Sequence, residues 1–418
     1  MQFLTGLLCG AIFGLAAIVP SAYGQTRFIP SLAVSEAYDT NIFFITSGGN
    51  LQDYVTTITP QIRGEHKSRL LDAAGQISLP ASLYVRNPGL NYVSVSTSIN
   101  VGLDQLTSLV DKRWKLSVAE FVTYTPQPPA FFSPTPAGGT GTTASATDLS
   151  APSNFIRGVQ AVRANSLINV ASINSRYVFT PVTSLTGSIQ HQYMQFGTAF
   201  APAPGQGFFT THFATISTGP QFQFTPRDTV NVNFNYSHMS FSQPNGFSSG
   251  FDLQGGKVGW SRTFTPKLSA NATGGFTIFS GSTNLQYLAS GQITYQERNT
   301  SFIGSYSRSI FPSFFIAATP LLSQVVSASV VHRFTAHLSA NGALNYAKNE
   351  AIGSTQLQFD SYSGSAGLNY AFSKTWSISA NYTHMVIKNA FNGTNFDFNR
   401  DVVSVSLRKE WPDFFQPK

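Results

Sequence analysis

The chain has 418 residues, 42% hydrophobic and 13% aromatic, yet only 10% charged, with a formal net charge of +7. A soluble domain ordinarily carries about 25% charged residues, so any water-facing surface here must be built from Ser, Thr, Asn, Gln and Gly. No apolar run reaches the roughly 20 residues that a membrane-spanning helix needs, and 36 Phe and 16 Tyr spread along the chain argue against disorder.

Residues 1–24 have the form of an export signal. Leu7 to Val19 make an apolar core too short to span a bilayer, and Ala22 and Gly24 place small residues at the −3 and −1 positions before Gln25. The opening MQFLTG carries no Lys or Arg, a departure from the usual signal. Cys9, the one cysteine, falls inside this segment, so the exported chain has neither a disulfide framework nor a thiolate metal site. Residues 25–418 show no shift in composition and read as a single domain.

That domain alternates with a period of two. Val230, Val232, Phe234 and Tyr236 are interleaved with Asn231, Asn233, Asn235 and Ser237. The pattern returns at Leu338, Ala340, Leu344 and Tyr346, at Trp376, Ile378, Ala380 and Tyr382, and at Val403, Val405 and Leu407. Successive strand side chains point to opposite faces, so each segment is a strand with one apolar and one polar face. A soluble β-sandwich would alternate in the same way, and three features decide against it. The polar face is nearly uncharged, the segments run about 10 to 15 residues where globular strands run about 5 or 6, and aromatics recur just before the turns.

Phe179, Phe224, Phe264, Phe334 and Phe372 each precede a Thr or Ser that opens a tight turn, as an aromatic girdle at a membrane boundary would. Their spacings are 45, 40, 70 and 38 residues, the longest holding a further turn at Asn299-Thr300. A period near 38 is one β-hairpin with a short turn and a longer loop. The longer loops, at 197–208, 243–249, 311–320, 349–354 and 390–396, are rich in Gly, Pro, Asn and Ser. Residues 125–155 form the longest, a Pro/Gly/Thr/Ser-rich segment that could cap the outer mouth, enter the lumen or lie on the surface. Counting crossings gives about 18 strands, within 16–20. The expected fold is therefore all-β: a transmembrane antiparallel β-barrel of the bacterial outer membrane, with short periplasmic turns and longer extracellular loops. Such a barrel encloses an aqueous channel unless loops block it.

Catalytic chemistry finds no support. The seven His residues are scattered without metal-ligand spacing. Gly246-Phe247-Ser248-Ser249-Gly250 fits G-x-S-x-G, but that motif needs a strand–turn–helix setting, and a hairpin loop is expected here. The basic residues are dispersed, which argues against a nucleic-acid partner. No catalytic, cofactor or metal site is expected, and the protein reads as a non-enzyme. Strand parity does place Arg176, Lys257, Arg333 and Arg408 on the lumen side, and His332 and Arg262 on the lipid side. The four lumen cations would either favour anionic solutes or pair with lumen carboxylates and fix the strands.

The first exported strand reads FIPSLAVSEAYDTNIFF from Phe28 to Phe44, followed by TTITPQI at Thr56 to Ile62. With Pro30, Tyr38, Asp39, Asn41 and Ile42, this opening resembles the outer-membrane β-barrel proteins associated with exopolysaccharide and exosortase (PEP-CTERM) systems. The resemblance covers about the first 40 exported residues, and later hairpins match in pattern only. It implies a conduit or anchor for surface polysaccharide, with polysaccharide-export components as partners beside membrane lipid and the barrel-assembly machinery. A general diffusion porin is the alternative, and an outer-membrane hydrolase a further one. The end of the chain departs from the usual aromatic finish: Trp411, Phe414 and Phe415 are followed by Gln416-Pro417-Lys418.

Overall fold

The computed structural model describes residues 24–42, 52–125, 164–199, 210–242, 248–280, 285–312, 320–352, 357–391, 394–395 and 397–411. The proposed signal, apart from Gly24, and nearly all of the 125–155 segment lie outside the described residues. So do residues 200–208, 243–247, 313–319, 353–354, 392–393 and 396 of the other long loops.

The strands in order are β1 (Gly24–Asp39), β2 (Asp53–Ser68), β3 (Asp72–Ser78), β4 (Ala81–Tyr84), β5 (Tyr92–Val93), β6 (Val95–Gly102) and β7 (Trp114–Thr125). Then come β8 (Ala164–Thr180), β9 (Thr183–Ala199), β10 (Thr210–Thr225), β11 (Asp228–Ser242), β12 (Ser248–Thr265), β13 (Leu268–Phe279) and β14 (Leu285–Gln296). The last are β15 (Thr300–Pro312), β16 (Pro320–Arg333), β17 (Leu338–Ala351), β18 (Leu357–Ala371), β19 (Trp376–Phe391), β20 (Thr394–Asn395) and β21 (Phe398–Glu410). β3 with β4 and β5 with β6 each form one interrupted wall strand, and β20 is a two-residue bridge. Eighteen strands therefore make up the wall.

Each wall strand pairs antiparallel with its neighbours, and β21 returns to β1, from Ser31↔Glu410 to Asp39↔Val402. That last pairing closes the sheet. In lipid an open edge would leave a row of backbone N–H and C=O groups without partners, so closure is what lets the sheet cross a membrane. The break between β3 and β4 falls at Leu79-Pro80, where proline has no N–H to give the ladder. Continuity is kept by Leu79 N–H to Pro60 O (3.0 Å) and Ser94 N–H to Pro80 O (2.9 Å).

Parity assigns the two faces. Along β11 and β12, Val232, Phe234, Val258 and Trp260 share one face and are exposed, while Asn231, Asn233, Asn235 and Lys257 share the other. The same division holds around the wall, with Ile189, Ile216, Phe276, Ile293, Leu344, Leu368 and Val405 all exposed on the first face. In a closed barrel the apolar face is the outer one, because Ser and Asn against lipid would have no water to bond. Strands of 12 to 18 residues exceed the 9–11 or so that a tilted crossing requires, so they overrun the apolar band.

The short turns repeat one local device. A hydroxyl at the strand end accepts two amide N–H groups across the turn: Thr180 from Val182 and Thr183 (3.3 and 3.0 Å), Thr225 from Arg227 and Asp228 (3.1 and 3.0 Å). Thr265, Thr335 and Ser373 do the same for their own turns. Ser and Thr are good at this because a short side chain can stand in for a missing backbone acceptor. One connection on this side departs from the short-turn expectation. Residues 103–113 between β6 and β7 carry the four-residue helix Asp104–Thr107.

Candidate functional site: the barrel lumen and its rims

The inner wall is a lattice of uncharged hydrogen-bonding groups. On β17, β18 and β19 it presents Ser339, Asn341 and Asn345, then Ser361, Ser363, Ser365 and Asn369, then Ser377, Ser379 and Asn381. Thr215 and Ser237 bond across strands at 3.0 Å, as do Ser305 and Ser327 at 2.6 Å. These side chains can exchange hydrogen bonds with water or a polyhydroxylated solute at little cost.

Register places the four basic candidates on this face. Arg176 lies opposite Thr186 and donates to Ser184 Oγ at 3.1 Å. Arg333 ends β16 opposite Ser339. Arg408 stands opposite Ala33 and pairs with Glu410 at 2.7 Å. These three sit near the short-turn end, whereas Lys257, opposite Asn233, stands farther up the wall. They do not form one cluster. Arg27, Arg63 and Lys115 share the turn-side rim with carboxylates Glu65 and Asp72, and Arg63 pairs with Glu65 at 3.3 Å.

Phe179, Phe224, Phe264, Phe334 and Phe372 stand on the outer face at the short-turn end and are all exposed. Arg262 is outward beside them, over the Phe264 ring at 5.4 Å and 3.5 Å from Asp228. His332 is outward too, with Nδ1 2.8 Å from Thr300 Oγ1 and its ring 4.7 Å from that of Phe334.

Three features escaped sequence reasoning. The first is a second aromatic belt, of tyrosines, at the loop end. It contains a repeated pentapeptide, Asn235-Tyr236-Ser237-His238-Met239 and Asn381-Tyr382-Thr383-His384-Met385. In each copy the Tyr hydroxyl and His Nδ1–H donate to one carboxylate on the adjoining strand. The distances to Asp252 are 2.8 and 2.7 Å, and to Asp401 2.7 and 2.8 Å. The second is an inward collar of buried apolar residues just inside the loop end: Ile168, Met194, Met239, Phe241, Leu321, Ala347, Met385 and Ile387. Each occupies the lumen parity toward the loop end of its strand, and that misplaced hydrophobicity was the available signal. Being covered, these side chains do not border open water, so the lumen is not a wide cylinder at that level.

The third is a latch at the seam. Asp39 accepts a two-pronged bond from Arg400, with Nε at 3.0 and 3.1 Å and Nη2 at 2.6 Å, and also the Asn41 N–H at 3.0 Å. Asn41 Nδ2 donates to Asn399 O at 3.2 Å, and Thr40 Oγ1 accepts from Asp401 N–H at 2.8 Å. The Tyr-Asp-x-Asn element therefore ties the first strand to the last, across the gap that closure must span.

Taken together, a closed antiparallel wall, a lipid-compatible outer face, a hydrated inner face and aromatic belts at both ends leave one class. The chain is an outer-membrane β-barrel. Residues 287–410 match the sequence profile of the family described as "Putative beta-barrel porin 2". Among solved structures it is similar to OccAB4 of Acinetobacter baumannii, at 11% identity and TM-score 0.44, covering 94% of this chain and 100% of that one. It is similar also to OpdQ of Pseudomonas aeruginosa, at 9% identity and TM-score 0.45, covering 94% and 98%. No curated protein matches the chain. In this barrel, Ser248, Ser249 and Gly250 of the G-x-S-x-G run open strand β12, not a helix, so the nucleophile-elbow setting is not met. Gly246 and Phe247 lie outside the described residues.

Proposed function

We propose that this barrel is a conduit for hydrophilic solutes across the outer membrane, with an electrostatic preference for anions. The observation that carries the reading is the inner wall: an uncharged Ser/Thr/Asn/Gln lattice, with Arg27, Lys115, Arg176, Arg333 and Arg408 concentrated toward the short-turn rim. A wall with excess positive charge raises the local concentration of anions and lowers that of cations. The apolar collar restricts the path at the loop end. Conduction is accordingly expected to be small and size-limited. The Phe belt is assigned to the periplasmic boundary and the Tyr belt to the outer one, with lipid and the barrel-assembly machinery as the partners.

The finer reading, export or anchoring of surface polysaccharide, rests on the N-terminal resemblance. Asp39 and Asn41, which carry much of it, are used at the seam and do not face a passing solute. A neutral hydroxyl- and amide-lined wall suits a sugar chain as well as it suits small solutes, so general diffusion is an equal alternative. Reconstitution decides the conduit. Purified protein in planar bilayers is expected to conduct, and proteoliposomes to swell in small sugars. Absence of both would overturn the reading. If conduction is found, deleting the gene and measuring cell-surface polysaccharide separates export from general diffusion.

A further inference from the structure

The outer face carries cations among its apolar residues, and the strand register lines three of them up. Arg308 on β15 stands opposite Gln324 on β16, and Gln324 opposite Lys348 on β17. The row runs on through Asp360 on β18 to Lys388 on β19. Arg308 shares the parity of Phe302 and Tyr306, and Lys348 that of Leu344 and Tyr346, so the row faces outward. It lies at the level of the tyrosine belt. Tyr346 and Tyr362, each two residues from the row, have ring centroids 5.0 Å apart.

Arg308 is fixed in place without an anion. Its guanidinium lies over the Tyr287 ring, with Cζ 3.8 Å from the centroid, and Nε donates to Tyr287 O at 3.2 Å. Among the described residues, Nη1, Nη2 and the Gln324 amide have no hydrogen-bond partner, and none of these atoms is sealed from the surface. Lys348 is part-exposed and pairs with Glu350. Asp360 accepts from Tyr346 Oη at 3.4 Å and Gln358 Nε2 at 3.3 Å, which leaves the exposed Lys388 without an ion-pair partner among the described residues. Three cations thus stand against two carboxylates, Glu350 and Asp360. Side chains directly opposite one another on a sheet face are about 5 Å apart. The guanidinium, amide and ammonium of Arg308, Gln324 and Lys348 therefore border one spot. A phosphate suits it, because a guanidinium grips two of its oxygens at once. Lys388 is two strands farther on, about 10 Å away, where a second phosphate of the same headgroup could reach it. Toward the midplane the same strands expose Tyr306, Val326 and Leu344. Donors at the boundary with apolar surface below them match a phosphorylated lipid better than a free anion.

We propose that Arg308, Gln324 and Lys348 bind one phosphate of an outer-leaflet lipid and that Lys388 takes a second, so that the preferred ligand is a lipid whose headgroup carries two phosphates. Its place in the outer leaflet rests on the assignment of the tyrosine belt to the outer boundary. The binding itself is independent of conduction, so a closed barrel would leave this site standing.

The full barrel in detergent is titrated with one acylated glucosamine disaccharide in three forms, diphosphorylated, monophosphorylated and phosphate-free, and bound lipid is counted by native mass spectrometry. Affinity is expected to fall several-fold at each phosphate removed. Arg308→Gln should weaken binding of both phosphorylated forms several-fold, and Lys348→Gln gives the same readout should the Arg308 variant fail to fold. Lys388→Gln should erase only the advantage of the second phosphate. Arg262→Gln, outward at the opposite boundary, should bind like wild type. Equal retention of all three forms by wild type refutes the site. So does wild-type binding by the folded Arg308→Gln or Lys388→Gln variants. Displacement of the diphosphorylated lipid by equimolar inorganic phosphate would make this a free-anion site and overturn the lipid assignment.

Discussion

At the turn hydroxyls, Thr225 and its four counterparts each satisfy two amides that the strand ladder leaves over. Replacing Thr225 by Ala removes that acceptor while the amides stay exposed enough to reach water. The expected loss is about 0.5–1.5 kcal/mol, read as a lower urea midpoint in lipid vesicles. Asp39 is a harsher case. Its carboxylate and the Arg400 guanidinium are both largely buried, and removing the carboxylate takes away the two-pronged bond between them. Asp39→Ala should cost about 3–5 kcal/mol, measured by the same unfolding assay, with Tyr38→Phe serving as a mild control at the neighbouring position. Asp111, in the 103–113 connection outside the membrane, responds to acid. The Arg113 guanidinium at 3.0 Å, together with the Tyr177 hydroxyl at 2.9 Å, holds its carboxyl well below the usual carboxylate range. A carboxyl depressed on folding contributes stability above its unfolded pKa of about 3.9. That contribution fades as pH falls below it. Asp111→Asn should therefore flatten the acid limb of stability against pH, and a limb identical to wild type would refute the assignment.

Along single strands, neighbouring residues meet different solvents. Val258 is exposed on the outer face and Asn233, one strand over, faces the lumen. Val258→Arg should destabilise the barrel by about 2–4 kcal/mol, the cost of a cation against lipid near the midplane. Asn233→Asp, which sets a carboxylate opposite Lys257, should cost far less in the same unfolding measurement. The period-two pattern made such strands legible from sequence, because one residue of slip exchanges the faces wholesale. Two things it could not supply. The interrupted strands at Leu79-Pro80 and Ser94 are decided by cross-strand pairing, which a local window does not see. The collar residues Met239, Phe241 and Met385 break alternation by only one or two positions at a strand end, where they look like ordinary fraying of the pattern. The Tyr-Asp-x-Asn element was visible as a motif, but its partner Arg400 lies 361 residues away. Its duty at the seam could not be read from its own sequence.

For the molecule as a whole, the strand count follows from hairpin spacing, and closure follows from the absence of water in the bilayer. The parity that put Arg176, Lys257, Arg333 and Arg408 on one face is a property of each strand alone. Their distribution in height depends on the stagger between strands, and that separates Lys257 from the rim cations. The central claim is that one continuous wall divides lipid from a hydrated interior, and β11 tests it most directly. Cys9 is the one cysteine of the sequence and lies outside residues 25–418, so with that residue absent or replaced single cysteines at successive positions from Thr229 to His238 can each carry a nitroxide in reconstituted vesicles. The account predicts that relaxation by oxygen, which partitions into lipid, peaks at 230, 232, 234 and 236. Relaxation by a water-soluble nickel chelate should peak at 231, 233, 235 and 237. Equal exposure of both sets to the chelate, with no oxygen maximum at the even positions, would contradict it.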